Sequence, residues 1–157
     1  MKKIILRAKI DICSELNLKS LSRIDFNKNV NFIKKLKVLF ANKEIKLEEI
    51  FNVSINKLNK KEPELIIYGL NKFCNFVGWR WENGKIHVKS NVGSYLGANM
   101  RGGSILVEGS AENFVGSELE NGEILIKSNV QDFVGAPQPG KKVGMTGGAI
   151  IIKGTAR

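Results

Sequence analysis

Short apolar runs recur along the second half of the chain at a fixed interval. Ile86–Val88, Ile105–Val107 and Ile124–Ile126 begin 19 residues apart. Ile150–Ile152 follows 26 residues later, which is the same interval plus a seven-residue insertion, and Leu65–Ile67 is a looser first copy. No run has the 3.6-residue period of an amphipathic helix, so each is predicted to be a β-strand.

Glycine recurs at two places in each repeat, once just before the apolar run and once after a Val or Leu. Glycine accepts the positive φ that tight turns require. We therefore predict turns at Gly84, Gly97, Gly103, Gly116, Gly122, Gly135 and Gly148. A phosphate-binding loop is the alternative, but no Gly-Lys-Ser/Thr motif and no strand–glycine–helix context accompanies these glycines.

The repeat predicts a mainly β fold. A 19-residue unit holds about three short strands and three corners, which fits a single-stranded, three-sided, right-handed parallel β-helix over residues 65–157. Coils stacked at about 4.8 Å would place equivalent side chains above one another. The resulting inward ladders are Ile86, Ile105, Ile124 and Ile150, and Val88, Val107, Ile126 and Ile152.

Residues 1–64 do not repeat and are predicted to be a small α+β cap on the first coil, because stacked sheets need covered ends. Ile4–Leu6 predicts a strand, Lys37–Phe40 and Ile45–Leu47 predict a hairpin, and Asn31–Lys37 predicts a short helical turn. Lys57–Pro63 is predicted to be the linker.

Two features of the repeats point to interactions. A row of aromatic residues precedes the Val/Leu-Gly positions, and simple alternation would aim these rings outward as a partner surface; alternatively they lie flat over neighbouring backbone. The row is Phe76, Tyr95, Phe114 and Phe133. The insertion Ala136–Lys142 is a loop by composition and is expected to project from the stack.

Composition and charge narrow the function classes. The chain has 157 residues, 43% hydrophobic and 25% charged, and a formal net charge of +10. Residues 1–64 carry 15 basic and 8 acidic residues, a net +7. The longest basic blocks have two residues, such as Lys141-Lys142, so a solvated lysine surface is favoured over nucleic-acid binding, and Lys141 and Lys142 are the candidates for contact with a polyanion.

The chain has no apolar stretch of about 18 residues and no signal-peptide pattern, so we expect no membrane partner. Cys13 and Cys74 match no metal-ligand spacing, and a reduced, cytoplasmic protein is expected. No Cys/His cluster, nucleophile elbow or dinucleotide fingerprint is present, and His87 is expected to be a lone surface histidine. We therefore predict no catalytic residue, metal ligand or cofactor in this chain.

The pattern Val-Gly-x-x-Met-x-x-Gly-x-Ile-x-Val-x-Gly resembles the glycine-repeat β-helix subunit of formylmethanofuran dehydrogenase and its counterpart in the methylotroph formyltransferase/hydrolase complex. The pattern is clearest over Leu96–Gly109 and Val143–Gly154. The segments Leu36–Val38, Asn42 and Leu47–Val53 resemble the lead-in of that subunit. The C-terminal domain of the glutamate synthase large subunit shares the pattern. Ser90, Ser128 and Leu119 depart from it.

The resemblance implies a non-catalytic scaffold subunit of an oxidoreductase complex in methanogenesis or related one-carbon metabolism. In that complex other subunits hold a molybdenum or tungsten pterin, iron–sulfur clusters and a dinuclear metal site, reduce carbon dioxide and form formylmethanofuran. The alternatives are a stand-alone domain of the glutamate synthase type and a basic polyanion-binding module. Because nothing like a cap occurs at Gly154–Arg157, we expect either that the chain is cut short or that a partner covers this end, with self-association through it as a further option.

Overall fold

The computed structural model describes residues 2–57 and 61–156. Its strands are β1 (Lys2–Ala8), β2 (Leu16–Asn17), β3 (Lys37–Phe40), β4 (Lys43–Lys46), β5 (Phe51–Lys57), β6 (Glu64–Tyr68), β7 (Cys74–Asn75), β8 (Lys85–Val88), β9 (Ser104–Val107), β10 (Glu123–Ile126) and β11 (Ala149–Ile152). The described helices are α1 (Val30–Lys34) and two 3-10 helices, Lys19–Arg23 and Leu47–Glu49.

The larger sheet has seven strands in the order β11-β10-β9-β8-β6-β1-β5. Strands β6 and β8 to β11 pair in parallel in steps of one repeat, and β1 joins β6 in parallel. The predicted register is confirmed at the isoleucine ladder, where Ile86 lies opposite Ile105, Ile105 opposite Ile124, and Ile124 opposite Ile150. Strand β5 forms the other side of the sheet by antiparallel pairing with β1.

The smaller sheet has four strands in the order β4-β3-β2-β7. Strands β3 and β4 form the predicted hairpin, with Ala41 and Asn42 at positive φ in its turn. Strand β2 pairs antiparallel with β3 and parallel with β7. The predicted helical turn corresponds to α1, where the Asn29 side chain accepts a hydrogen bond from the Phe32 amide and so caps the first turn.

The predicted architecture, a three-sided right-handed parallel β-helix with a separate α+β cap, is wrong. The structure has two sheets of mixed strand direction, and the N-terminal strands β1 and β2 pair directly with β6 and β7. The reason is that the 19-residue spacing fixes which residues come into register and leaves open how much of each repeat is regular strand. Each repeat contributes one four-residue strand to the seven-stranded sheet, and the rest is mostly turns.

The division of the chain at residue 64 stays a prediction, although strands from both sides of that boundary share both sheets. Part of the predicted linker Lys57–Pro63, residues 58–60, lies outside the described residues.

The core lies on the inner face of the seven-stranded sheet. Ile86, Ile105 and Ile124 are at most 1% exposed, and the paired column Val88, Val107 and Ile126 is fully buried. Each such side chain stabilises the fold by about 1.5–3 kcal/mol relative to an exposed one. The last members of both columns, Ile150 and Ile152, are only partly buried, because β11 is an edge strand.

Candidate functional site

Strand β11 is the edge strand on one side of the seven-stranded sheet. Two series of backbone hydrogen bonds between successive repeats lead up to it. In each repeat the residue that opens the strand donates to a carbonyl of the previous repeat, as Ser104 does to Gly84 and Ala149 to Gly122. A second series runs past the strand end, as from Lys153 to Ile126. The next acceptors in these series are the carbonyls of Gly148 and Ile152, on the free edge.

Strand β11 and the segment between β10 and β11 carry four exposed apolar side chains. Ile151 on β11 is 52% exposed, Val143 62%, Met145 37% and Phe133 59%. A strand edge with unpaired backbone groups and apolar neighbours is a template for adding a strand from another chain. We call this surface, formed by β11, Phe133, Val143 and Met145, the β11 edge.

The aromatic row is a continuous stack. Ring centroids of Phe76, Tyr95, Phe114 and Phe133 follow one another at 4.7, 4.9 and 4.9 Å, with interplanar angles of 5°, 3° and 16°. All four residues have φ between 60° and 64°, so the alternation used to aim the rings does not apply to them. The rings stack face to face at about the distance between neighbouring strands. The ring edges form the sides of the stack.

The two ends of the stack differ. The Lys19 ammonium lies 4.4 Å from the centroid of Phe76 and covers that end by a cation–π contact. Phe133, at the other end, belongs to the β11 edge and is 59% exposed. Its outer face is therefore the place where a further planar side chain would continue the stack.

The seven glycines predicted to form turns have φ between 64° and 102°. Gly103 shows a tight case, since a Cβ there would clash with the carbonyl oxygen of Gly84 and lie 3.0 Å from Trp81. Gly84, Gly103, Gly122 and Gly148 bring the backbones of successive repeats close together, whereas a Cβ at Gly97 or Gly116 would meet an isoleucine side chain.

His87 lies in a small polar cluster on the outer face of the sheet. Its Nε2 is 2.7 Å from Oε1 of Glu108, and Nζ of Lys127 is 2.9 Å from Oε2 of the same carboxylate. An ionised carboxylate only accepts, so His87 Nε2 carries the hydrogen in this pair. The hydrogen bonds from Lys127 and then His87 lower the pKa of Glu108 to about 2.

Lys141 and Lys142, the predicted polyanion contacts, are both exposed at the end of the insertion. The first part of that loop is anchored to the repeats, since Gln138 Nε2 donates to Asn99 Oδ1 at 2.5 Å and Ser117 Oγ donates to the Ala136 carbonyl at 2.6 Å. Contact between these lysines and a polyanion stays a prediction.

A cleft of about 930 Å³ was not predicted from the sequence. Four basic residues and two acidic residues line it, together with an aromatic wall and small polar groups. The lining includes Lys2, Lys57, Arg80, Arg101, Asp25, Glu82, Phe26 and Trp81. These residues come from separate stretches of chain, so no motif in the sequence could have revealed the cleft.

Groups suited to metal or thiol chemistry are sparse in the described part of the chain. Over residues 2–57 and 61–156, no three His, Cys, Asp or Glu side chains gather to hold a metal ion. Cys74 is fully buried, and burial raises the pKa of its thiol to about 11, whereas Cys13 is exposed. Among the same residues, no helix is long and apolar enough to cross a bilayer.

The fold of this chain is similar to that of a solved protein. No protein-family profile and no curated protein matches the chain. A chain in the crystal structure of the formyltransferase/hydrolase complex FhcABCD from Methylorubrum extorquens, solved in complex with methylofuran, matches with a TM-score of 0.84 and 26% identity. The match covers 97% of this chain and 56% of the other, so this chain spans little more than half the length of that neighbour.

Proposed function

We propose that this chain is a non-catalytic scaffold subunit of a one-carbon enzyme complex, of the glycine-repeat type that occurs in formylmethanofuran dehydrogenase-like complexes. The observation that carries the proposal is the likeness to a chain of FhcABCD over 97% of the present chain. The motif resemblance over Leu96–Gly109 and Val143–Gly154 supports the same assignment.

In this proposal the chemistry belongs to the partner subunits. They would hold the molybdenum or tungsten pterin, the iron–sulfur clusters and the dinuclear metal site, and the present chain would hold none of these groups. Its role would be to fix the partners relative to one another.

The β11 edge is the surface we assign to partner contact. A partner strand laid beside β11 would accept or donate at the backbone groups of Gly148, Ile150 and Ile152, since alternate residues of a parallel ladder face the next strand. The same partner would cover Ile151 and Phe133, whose exposed apolar surface favours burial.

Co-expression of the chain with the formyltransferase and hydrolase subunits of its native host tests the assignment. We expect the wild-type chain to co-elute with them in size-exclusion chromatography. Ile151→Lys should abolish co-elution, because a charged residue on an edge strand blocks strand addition. Ile10→Lys is the matched control, since Ile10 is also an exposed isoleucine, 42% against 52%, and lies in the bend after β1.

Failure of the wild-type chain to co-elute would contradict the scaffold role. If Ile151→Lys co-elutes to the same extent as Ile10→Lys, the chain still joins the complex, but the β11 edge is not its contact surface.

A further inference from the structure

The cleft between the N-terminal segment and the first repeats has the size of a ligand site. Its volume of about 930 Å³ lies within the range of about 300–1,000 Å³ typical of small-molecule pockets. Lys2 of β1 and Lys57 of β5 contribute to its lining, as do the loop Ile24–Asn27 and the turn Arg80–Asn83.

The charges in the cleft are unbalanced. Four basic residues face two acidic ones, Asp25 and Glu82. Arg101 is already engaged, because its guanidinium lies 3.6 Å from Glu82 and 3.1 Å from Glu120. Three cations, Lys2, Lys57 and Arg80, therefore remain against one carboxylate, that of Asp25.

Lys2 and Lys57 are held against each other by the sheet. They lie directly opposite in the antiparallel pairing of β1 with β5, where Cβ atoms are about 4.5–5.5 Å apart and like charges destabilise the pair. Within residues 2–57 and 61–156, no carboxylate lies within 4 Å of either ammonium group. An anion bound between them would offset this repulsion.

Arg80 and the aromatic side chains form a second wall. The Arg80 guanidinium lies 4.5 Å from the ring centroid of Trp79, a contact that holds it in place without neutralising its charge. Trp81 packs edge-on against Phe26 at 6.2 Å, and its Nε1 donates to the Gly84 carbonyl at 2.9 Å. Trp81 is only 4% exposed, so the partly exposed Phe26 supplies most of the aromatic surface that the wall offers beside the Arg80 cation.

We propose that this cleft binds a small organic anion with a planar ring, the ring against Phe26 and the charged group between Lys2 and Lys57. A carboxylate and a phosphate share the required chemistry. The ammonium group of lysine is a compact charge and does not require the two-pronged contact that arginine makes. The affinity would therefore depend on the charge of the ligand and on its ring contact more than on the shape of its anionic group.

Titration of the full chain with phenyl phosphate and with isophthalate tests the proposal, with the fluorescence of Trp79 and Trp81 as the readout. We expect saturable binding of at least one probe, weakened by added salt. Whichever probe binds more tightly identifies phosphate or carboxylate as the preferred group. Inorganic phosphate should bind more weakly than phenyl phosphate, because it lacks the ring.

Lys57→Gln should weaken binding about fivefold, the loss of one partly screened charge pair. Lys43→Gln is the matched control, since Lys43 is an exposed lysine on a strand, β4, and does not line the cleft, so its substitution should leave binding unchanged. A second readout needs no ligand: at low salt the unliganded Lys57→Gln chain should melt at a higher temperature than the wild type, because the Lys2–Lys57 repulsion is gone.

Absence of saturable binding by either probe would overturn the proposal. Equal effects of Lys57→Gln and Lys43→Gln would also overturn it, since binding would then reflect the overall positive charge. Equal affinity for inorganic phosphate and phenyl phosphate would show that the aromatic wall does not contribute to binding, which contradicts the proposed ring contact.

Discussion

At the scale of single residues, the carboxylate of Glu108 is strongly biased towards its ionised form. It accepts hydrogen bonds from Lys127 and His87, and both favour the charged state. The cluster links His87 on β8 to the residues that directly follow β9 and β10. Lys127 and His87 thus act as stabilising partners of one acid across three neighbouring strands.

Glu108→Gln should lower the melting temperature at pH 7. Because the folded-state pKa is depressed from 4.5 to about 2, the ionised group stabilises the fold above pH 4.5 and this contribution is lost as pH falls towards 2. The difference in melting temperature between variant and wild type should therefore shrink over that interval, as followed by circular dichroism. Glu123→Gln, an exposed glutamate on β10, is the control.

A difference in melting temperature that stays constant from pH 7 to pH 2 would show that the effect of Glu108→Gln does not arise from ionisation of the carboxylate.

At the scale of elements, the turns between repeats fix how closely successive strands approach. Gly103 has φ +70°, and the carbonyl of Gly84 beneath it accepts hydrogen bonds from both Trp81 Nε1 and the Ser104 amide. A side chain at Gly103 would push on that carbonyl and disturb both bonds.

Gly103→Ala and Gly140→Ala separate the cost of positive φ from the cost of close contact. Gly140 has φ +82° with nothing within 4 Å of its would-be Cβ, so its substitution should cost only the left-handed backbone penalty of about 1–2 kcal/mol. Gly103→Ala carries the same penalty and a clash with the Gly84 carbonyl, so we expect a clearly larger loss in the free energy of unfolding. Urea denaturation measures both, and equal losses would contradict the role given to the close contact.

The strand register could be predicted, whereas the sheets could not. Ile86, Ile105 and Ile124 indicate their pairing because identical side chains recur at one interval. The two-residue strands β2 and β7 have no periodicity to detect, and the pairing of β1 with both β5 and β6 depends on contacts between distant parts of the chain.

The geometry of the aromatic row could not be predicted from the sequence either. Its spacing is visible in the sequence, but the face-to-face stacking of Phe76, Tyr95 and Phe114 occurs at positive φ, which is unusual for aromatic residues. A prediction based on strand alternation could not give that geometry.

At the scale of the whole molecule, the chain presents two separate surfaces. The β11 edge lies at one side of the seven-stranded sheet, and β1 with β5 forms the other side. Lys2 and Lys57 of the cleft belong to that second side. The pairing of β11 with β10 could be predicted from the repeat, because Ile124 and Ile150 hold equivalent positions in it, whereas the cleft required distant segments to be brought together.

The scaffold role is the central claim, and purification of the tagged chain from its native cell, followed by mass spectrometry of the proteins that accompany it, tests it most directly. We predict recovery of formyltransferase and hydrolase subunits of a one-carbon complex, together with a pterin-dependent subunit if the complex is of the dehydrogenase type. Recovery of the chain alone, or with glutamate synthase subunits in their place, would contradict the account.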